Sequence, residues 1–294
     1  MSRRPPSLIV GTDTDLSMRK LTLSCLVFGA ALASAQSTTP IIAAGGIANG
    51  ASFQAIPLTG GSLFSIFGSG LASQTASAST VPFSRSLGGV TVQFVNGSTT
   101  IDAPISYVQP GAGTSSQINA QVPWQLVPPG TTGTVNMVVS NNGVPSATTP
   151  VTIAPFSPGV FGFNSASGTF AIAYTYKDGM FAWPANSVAG LTTHPAAPGS
   201  LIIVYATGLG TVTPPIDDGE APGSVLTSVD TPPVVTIGGI NAQVAFAGLQ
   251  PQFPGVYQLN VTVPANAPTG NTVPIQIQVG GITSPATFTI AVGN

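Results

Sequence analysis

Apolar and polar residues alternate one by one along much of this chain. Tyr257, Leu259, Val261 and Val263 fall on one side of an extended segment, with Gln258, Asn260 and Thr262 on the other. Ile118, Ala120 and Val122 alternate in the same way with Gln117, Asn119 and Gln121. Successive side chains of a strand point to opposite faces, so each segment predicts a strand with one face in a core and one in water. Val273 to Val279 alternates equally cleanly, and Pro274 suggests an edge position or a strand start there. Asn96-Gly97, Asn142-Gly143, Gly238-Gly239 and Gly280-Gly281 punctuate the runs. Such dipeptides supply the positive φ that a type I′ hairpin turn needs at both central residues. No 3.6-residue periodicity follows residue 35, which selects β-sandwiches over an α/β fold.

The pattern repeats. Gly61-Ser62-Leu63-Phe64-Ser65-Ile66-Phe67-Gly68-Ser69-Gly70-Leu71 returns 138 residues later as Gly199-Ser200-Leu201-Ile202-Ile203-Val204-Tyr205-Ala206-Thr207-Gly208-Leu209. Gln117 to Pro123 returns 141 residues later as Gln258 to Pro264, and Val135, Met137 and Val139 correspond to Val273, Ile275 and Ile277. Offsets that drift by a few residues are what loop insertions between two copies produce. The chain therefore reads as all-β, with one sandwich over residues 36–155 and a second over 199–294. A connector over 156–198 opens on Pro155-Phe156-Ser157-Pro158 and holds a β-hairpin, Phe170 to Tyr176 turning at Lys177-Asp178-Gly179 into Met180 to Trp183.

Several of these blocks resemble the Solibacter-type uncharacterised C-terminal domain family of exported acidobacterial proteins. The matching residues are Asn49-Gly50-Ala51-Ser52-Phe53, Gly61 to Gly68, Gln117 to Pro123, Pro158-Gly159-Val160-Phe161, Pro198-Gly199-Ser200-Leu201, Tyr205 to Gly210 and Phe246-Ala247-Gly248-Leu249. The resemblance implies two tandem immunoglobulin-like β-sandwiches of the IPT/TIG-like kind. It carries no activity and no site residues with it.

The N-terminus sets an expected address. Met18-Arg19-Lys20 forms a basic start, Leu21 to Ala33 an apolar run of 13 residues, and Ala33-Ser34-Ala35 the small-x-small pattern of a signal-peptidase site. Residues 1–35 thus read as a signal peptide, with Met18 as the expected start because Asp13 and Asp15 suit no leader. The expected product is secreted or held at a bacterial cell surface. An apolar run of this length is short for a bilayer span, so none is expected after cleavage. Beyond residue 35 there is no cysteine, and stability must come from core burial alone.

Charge narrows the partners. Only Arg85 and Lys177 are basic beyond residue 35, against Asp102, Asp178, Asp217, Asp218, Glu220 and Asp230. Two cations build no basic patch, which excludes nucleic acid as a partner and leaves an extracellular protein or polysaccharide. Charged residues are 5% of the chain, where about a quarter is usual, so the surface must be dressed in neutral polar groups.

Catalytic chemistry is thin. His194 is the single histidine, lies in the connector, and has no Gly-x-Ser-x-Gly elbow to serve; it reads as a solvated linker residue. No cofactor is expected, and the chain reads as a non-enzyme. Two clusters remain as candidate sites. Asp217, Asp218 and Glu220 crowd one loop between prolines and could offer hard oxygen ligands to Ca²⁺. Trp183, Tyr174 and Tyr176 of the connector hairpin, with Trp124 after the Val122-Pro123 strand end, could form a carbohydrate platform. The leading expectation is a non-catalytic interaction or structural module, and the alternative is a carbohydrate-binding module using the hairpin aromatics.

Overall fold

The computed structural model describes residues 39–293, and every regular element among them is a strand. The signal-peptide reading lies outside the described residues. In the first half the strands are β1 (Ile41–Asn49), β2 (Leu63–Ser69), β3 (Ala76–Ser77), β4 (Val90–Asn96) and β5 (Thr99–Asp102). They continue with β6 (Ile105–Gln109), β7 (Ser116–Gln121), β8 (Gly133–Asn141), β9 (Val144–Pro145) and β10 (Thr149–Ile153). One sheet runs β1-β2-β7-β6-β3 and the other β10-β8-β4-β5, with β9 on β8. Their inner faces share one core, where the Phe64 ring of β2 meets that of Phe94 of β4 edge-on at 5.7 Å.

The second half begins with short strands: β11 (Gly159–Val160), β12 (Gly162–Ser165), β13 (Gly168–Ala171) and β14 (Ala173–Thr175). Next come β15 (Leu201–Thr207), β16 (Val212–Thr213), β17 (Ser228–Val229), β18 (Val234–Ile237) and β19 (Ile240–Leu249). The chain closes with β20 (Tyr257–Thr262), β21 (Gly270–Val279), β22 (Ile282–Thr283) and β23 (Thr289–Val292). Here hydrogen bonding is continuous along β11-β15-β20-β19-β18-β21-β23-β13-β12. The reason is β19, which pairs with β18 through Ile240–Ala242 and then with β20 through Gln243–Leu249, bulging between Val244 and Phe246. The equivalent course in the first half is broken at Ala103-Pro104 into β5 and β6. Pro104 has no N–H to give a ladder, and its carbonyl instead accepts from Gln121 N–H.

Alternation sets the buried face of each half. Tyr257, Leu259, Val261 and Val263 are fully buried, as are Ile118, Ala120 and Val122. Three of the four glycine turns have the expected backbone, with positive φ at Asn142 and Gly143, at Gly238 and Gly239, and at Gly280 and Gly281. The fourth is displaced by one residue. Asn96 pairs with Thr99 as the last residue of β4, so the turn is Gly97-Ser98 with only Gly97 at positive φ. Pro274 is not at a strand start. It sits within β21, beyond the point where β18 ends, so its missing N–H faces the Gly238 turn and no ladder bond is lost.

One expectation fails for a reason that matters below. Gln121 belongs to the face read as solvated, yet it is wholly buried, because the second half packs against that end of β7. The connector is also more than a spacer. β11 and β14 both pair with β15, and β13 lies parallel to β23 at Phe170 and Thr289, so residues 159–175 supply strands to the second half.

The register can be checked with two neighbouring residues. Leu259→Asp forces a carboxylate into the second core and should cost about 4 kcal/mol or more. Gln258→Asp on the opposite face loses one partly buried hydrogen bond and should cost about 1 kcal/mol or less. Denaturant midpoints of the two variants measure the difference.

Candidate functional site

The hairpin aromatics do not present a platform. Trp183 is 1% exposed, stacked on Phe181 at 4.0 Å and packed with Phe163 and Phe170 at 5.5 and 5.4 Å. Its indole N–H donates to the Ala171 carbonyl at 2.7 Å, so the ring is satisfied at both its apolar faces and its polar tip. Trp183 is therefore an internal plug, and its reading as a sugar-stacking surface is corrected by that burial. Tyr174 is half-buried between Phe181 and Tyr205. Burial, and then the neighbouring Tyr205, push its hydroxyl pKa up. Only Tyr176 of this group is exposed, at 64%.

The acidic loop does not form a calcium cage. Among the described residues no three His, Cys, Asp or Glu side chains gather as metal ligands. Asp218 is spent on a different task. Its carboxylate accepts the backbone N–H of Trp124 at 2.8 Å and meets the Arg85 guanidinium at 3.1 Å. Asp217 and Glu220 stay exposed, linked only by a backbone turn from Glu220 N–H to the Asp217 carbonyl. The loop is thus a latch between halves, and sequence alone could not distinguish a latch from a cage because both want carboxylates between prolines.

That latch belongs to a buried polar seam. Gly219 N–H donates to Gln121 Oε1 at 2.6 Å, while Phe83 N–H donates to the Gly219 carbonyl at 2.9 Å. Gly219 has φ +79°, and a Cβ there would come within 3.0 Å of the Phe83 backbone, so the close approach demands glycine. Thr207 Oγ1 accepts Leu63 N–H and donates to the Gly255 carbonyl; Asn49 Nδ2 donates to the Ser157 carbonyl. The Gln121, Thr207 and Asn49 side chains are buried and each is paired, as buried polar groups must be.

Beside the seam lies the candidate site, a groove of about 800 Å³ with walls from both halves. Trp124, Val127, Pro128 and Pro129 form one side; Val212, Pro215 and Ile216 form the other. Trp124 is partly buried and packs on the second core although it belongs to the first half. Thr211, Thr213 and Asp230 supply the polar rim, and hydrogen bonds from the two threonine hydroxyls hold the Asp230 carboxyl below its usual range. The site combines an apolar floor with a few oriented polar groups, the usual make-up of a binding cleft. Of the candidate site residues read from the sequence, only Trp124 lines it. The two walls come from loops about 85 residues apart, and nothing in the sequence joins them.

His194 is not a free linker residue. Its Nδ1 is 2.8 Å from the Pro195 carbonyl and its Nε2 3.0 Å from Asp178 Oδ2. Two acceptors favour the imidazolium, which alone can donate from both nitrogens. The Pro195 carbonyl and then Asp178 raise the His194 pKa against partial burial and Lys177. The Thr175 hydroxyl, then the Met180 amide and His194, lower that of Asp178.

No known family profile matches the chain, and no curated protein matches it. Among solved structures, one titled BspA_C_mut aligns over 84% of this chain and 94% of its own, at 9% identity and a TM-score of 0.18. A likeness that weak carries no argument.

Two measurements test this geometry. Asp218→Ala removes the acceptor of Trp124 N–H and the partner of Arg85, and should destabilise the chain by about 1–3 kcal/mol in denaturant unfolding. The His194–Asp178 pair has its own pH signature. A raised histidine contributes stability below 6.5 that is lost as pH rises through its folded value, and a lowered aspartate contributes above 3.8 what is lost on acidification. The contact is therefore strongest between those two values. By NMR, His194 should titrate above 6.5, and Asp178→Asn should bring its midpoint down.

Proposed function

We propose that this chain is an exported, non-catalytic interaction module that holds an extracellular partner in the groove beside Trp124. The observation that carries this reading is the groove itself: about 800 Å³, apolar at its floor, and built jointly by two halves that buried hydrogen bonds keep in register. A cleft with walls pre-set in this way spends little binding energy on ordering itself. Export is supported by the leader-like residues 18–35, and the family setting by the resemblance of the repeated blocks to the Solibacter-type domains. Scarce charge supports a neutral partner surface, and no helix among the described residues is long and apolar enough to cross a membrane.

The carbohydrate alternative loses its original support with the burial of Trp183, and it now depends on Trp124, with the threonine and Asp230 rim as its polar contacts. A polysaccharide would use the same groove.

The test uses the chain's two tryptophans. Trp183 is sealed in its stack, so a change in fluorescence or acrylamide quenching on binding reports Trp124. Extracellular protein fractions and cell-wall polysaccharides are the two arms. Saturable binding is expected in one arm, little changed between low and high salt because the groove carries one charge, Asp230. Pro129→Glu, or Gln125→Trp filling the groove, should weaken it at least about tenfold, or about 1.4 kcal/mol. Binding that ignores both variants, or turnover of an ester, glycoside or peptide lost in His194→Ala, would overturn the proposal.

A further inference from the structure

The edge strands of the two halves make matching pairings, and at one place the halves differ in what fills the space beside them. Ile41 and Ile42 of β1 pair with Ser69 and Gly68, as Gly159 and Val160 pair with Thr207 and Ala206. Ile47, Ala48 and Asn49 pair with Ile66, Ser65 and Phe64, as Ala173, Tyr174 and Thr175 pair with Val204, Ile203 and Ile202. Between these matched pairs the first half has the four residues Ala43 to Gly46, and the second has the twelve residues Phe161 to Ile172. The facing sheets match as well. Leu58 N–H donates to Thr152 O and Ala154 N–H to Leu58 O; Ala196 N–H donates to Ala291 O and Gly293 N–H to Ala196 O. Thr152 is thus the counterpart of Ala291, and Ile47 of Ala173.

In the second half a single residue bridges those counterparts. Ala182 N–H donates to the Ala173 carbonyl at 2.9 Å, and Ala182 O accepts Ala291 N–H at 2.8 Å. All three alanines are fully buried, and the adjoining Trp183 seals the gap with its aromatic stack. In the first half no residue makes this bridge: residues 50–60 are twelve fewer than the matching 176–198, and Ile56, which follows the same turn as Ala182 does, gives its N–H back to the Gln54 carbonyl. What remains is a groove of about 450 Å³ lined by Ile42 to Ile47, Ala55 to Pro57 and Thr149 to Thr152. Thr152 N–H lies on the same edge of β10 as its carbonyl, turned from β8, and meets no acceptor among the described residues. Thr152 is exposed and Ile47 half-buried, where their counterparts are sealed.

We propose that the groove between β1 and β10 is a docking site for an extended segment of a partner polypeptide. That segment carries a small residue bridging Thr152 N–H and the Ile47 carbonyl, followed by an aromatic side chain. The occupant's chemistry is set by Ala182-Trp183, which does this between the counterparts of Ile47 and Thr152, 126 and 139 residues further along. Pro150 offers no N–H to a partner strand, so the segment crosses the gap between sheets, as Ala182 does, and does not extend β10 as a long ladder. This site is separate from the groove beside Trp124, and neither proposal depends on the other.

The probe is a capped synthetic peptide with the sequence of residues 179–185, Gly-Met-Phe-Ala-Trp-Pro-Ala, titrated into the ¹⁵N-labelled chain. Saturable shifts and slowed hydrogen exchange are expected at the Thr152 amide, and a peptide with serine in place of tryptophan should bind at least tenfold more weakly. Thr152→Pro removes the donor without touching a bond of the fold, so it should abolish binding at an unchanged melting temperature. Ala44→Trp fills the groove and should abolish binding while leaving that amide in place, which keeps the test decisive if the proline variant misfolds. Absence of saturable shifts at Thr152, or equal binding by Ala44→Trp, would overturn the proposal. So would shifts centred on Ala291, which would mean exchange with the chain's own segment. A dimer lost in Ala44→Trp would overturn it too, by making the occupant a second copy.

Discussion

The Gln121 side chain is buried where the two halves meet, and a buried amide has to find a partner for both of its ends. Its nitrogen donates to the Gly61 carbonyl and its oxygen accepts Gly219 N–H, so one amide ties a strand end of the first half to a loop of the second. An unmade bond at such a site costs the desolvation of the group, about 1–3 kcal/mol, which penalises any other arrangement of these loops. Thr207 and Asn49 repeat the device a short distance away. The groove beside Trp124 depends on it, because its two walls belong to different halves and keep their spacing only while the seam holds.

Duplication explains both the likeness of the halves and their differences. The central strands keep matching inner faces, and the two longest insertions flank the short edge strands, where a sheet tolerates additions without repacking. The eight extra residues after Val160 and the twelve after Thr175 are used together: one supplies β12 and β13, and the other supplies Phe181, Ala182 and Trp183. They close that end of the second half with aromatic rings and leave the first half open there.

What could be read in advance follows from which contacts are local. Leu259 and Ile118 were legible because a period of two fixes their face within a few residues. Gly238-Gly239 was legible because its turn needs only its own backbone. Gln121 was misread because a polar residue on the outer face looks the same whether water or another half of the chain lies over it. Trp183 and Asp218 were picked out for being chemically conspicuous, yet what they do is set by Phe163, Phe170, Arg85 and Trp124. These partners lie between 13 and 133 residues away in the sequence or face them across a turn. His194 was underestimated for the same reason, since Asp178 reaches it only once the hairpin has folded back.

The seam also has a history in time. The chain is made from its N-terminus, so Gln121 is in place 98 residues before Gly219 exists to meet it. Until its partner is made, each of these groups can turn to water: the Asn49 amide waits for Ser157, Leu63 N–H for Thr207, and the Gln121 oxygen longest, for Gly219. Contacts so distant in sequence form late, after the loop entropy of closing more than ninety residues has been overcome. The face that waits for the second half thus mixes two kinds of surface: amides and hydroxyls that water can serve, and the Trp124 ring, which is covered only when the second core forms.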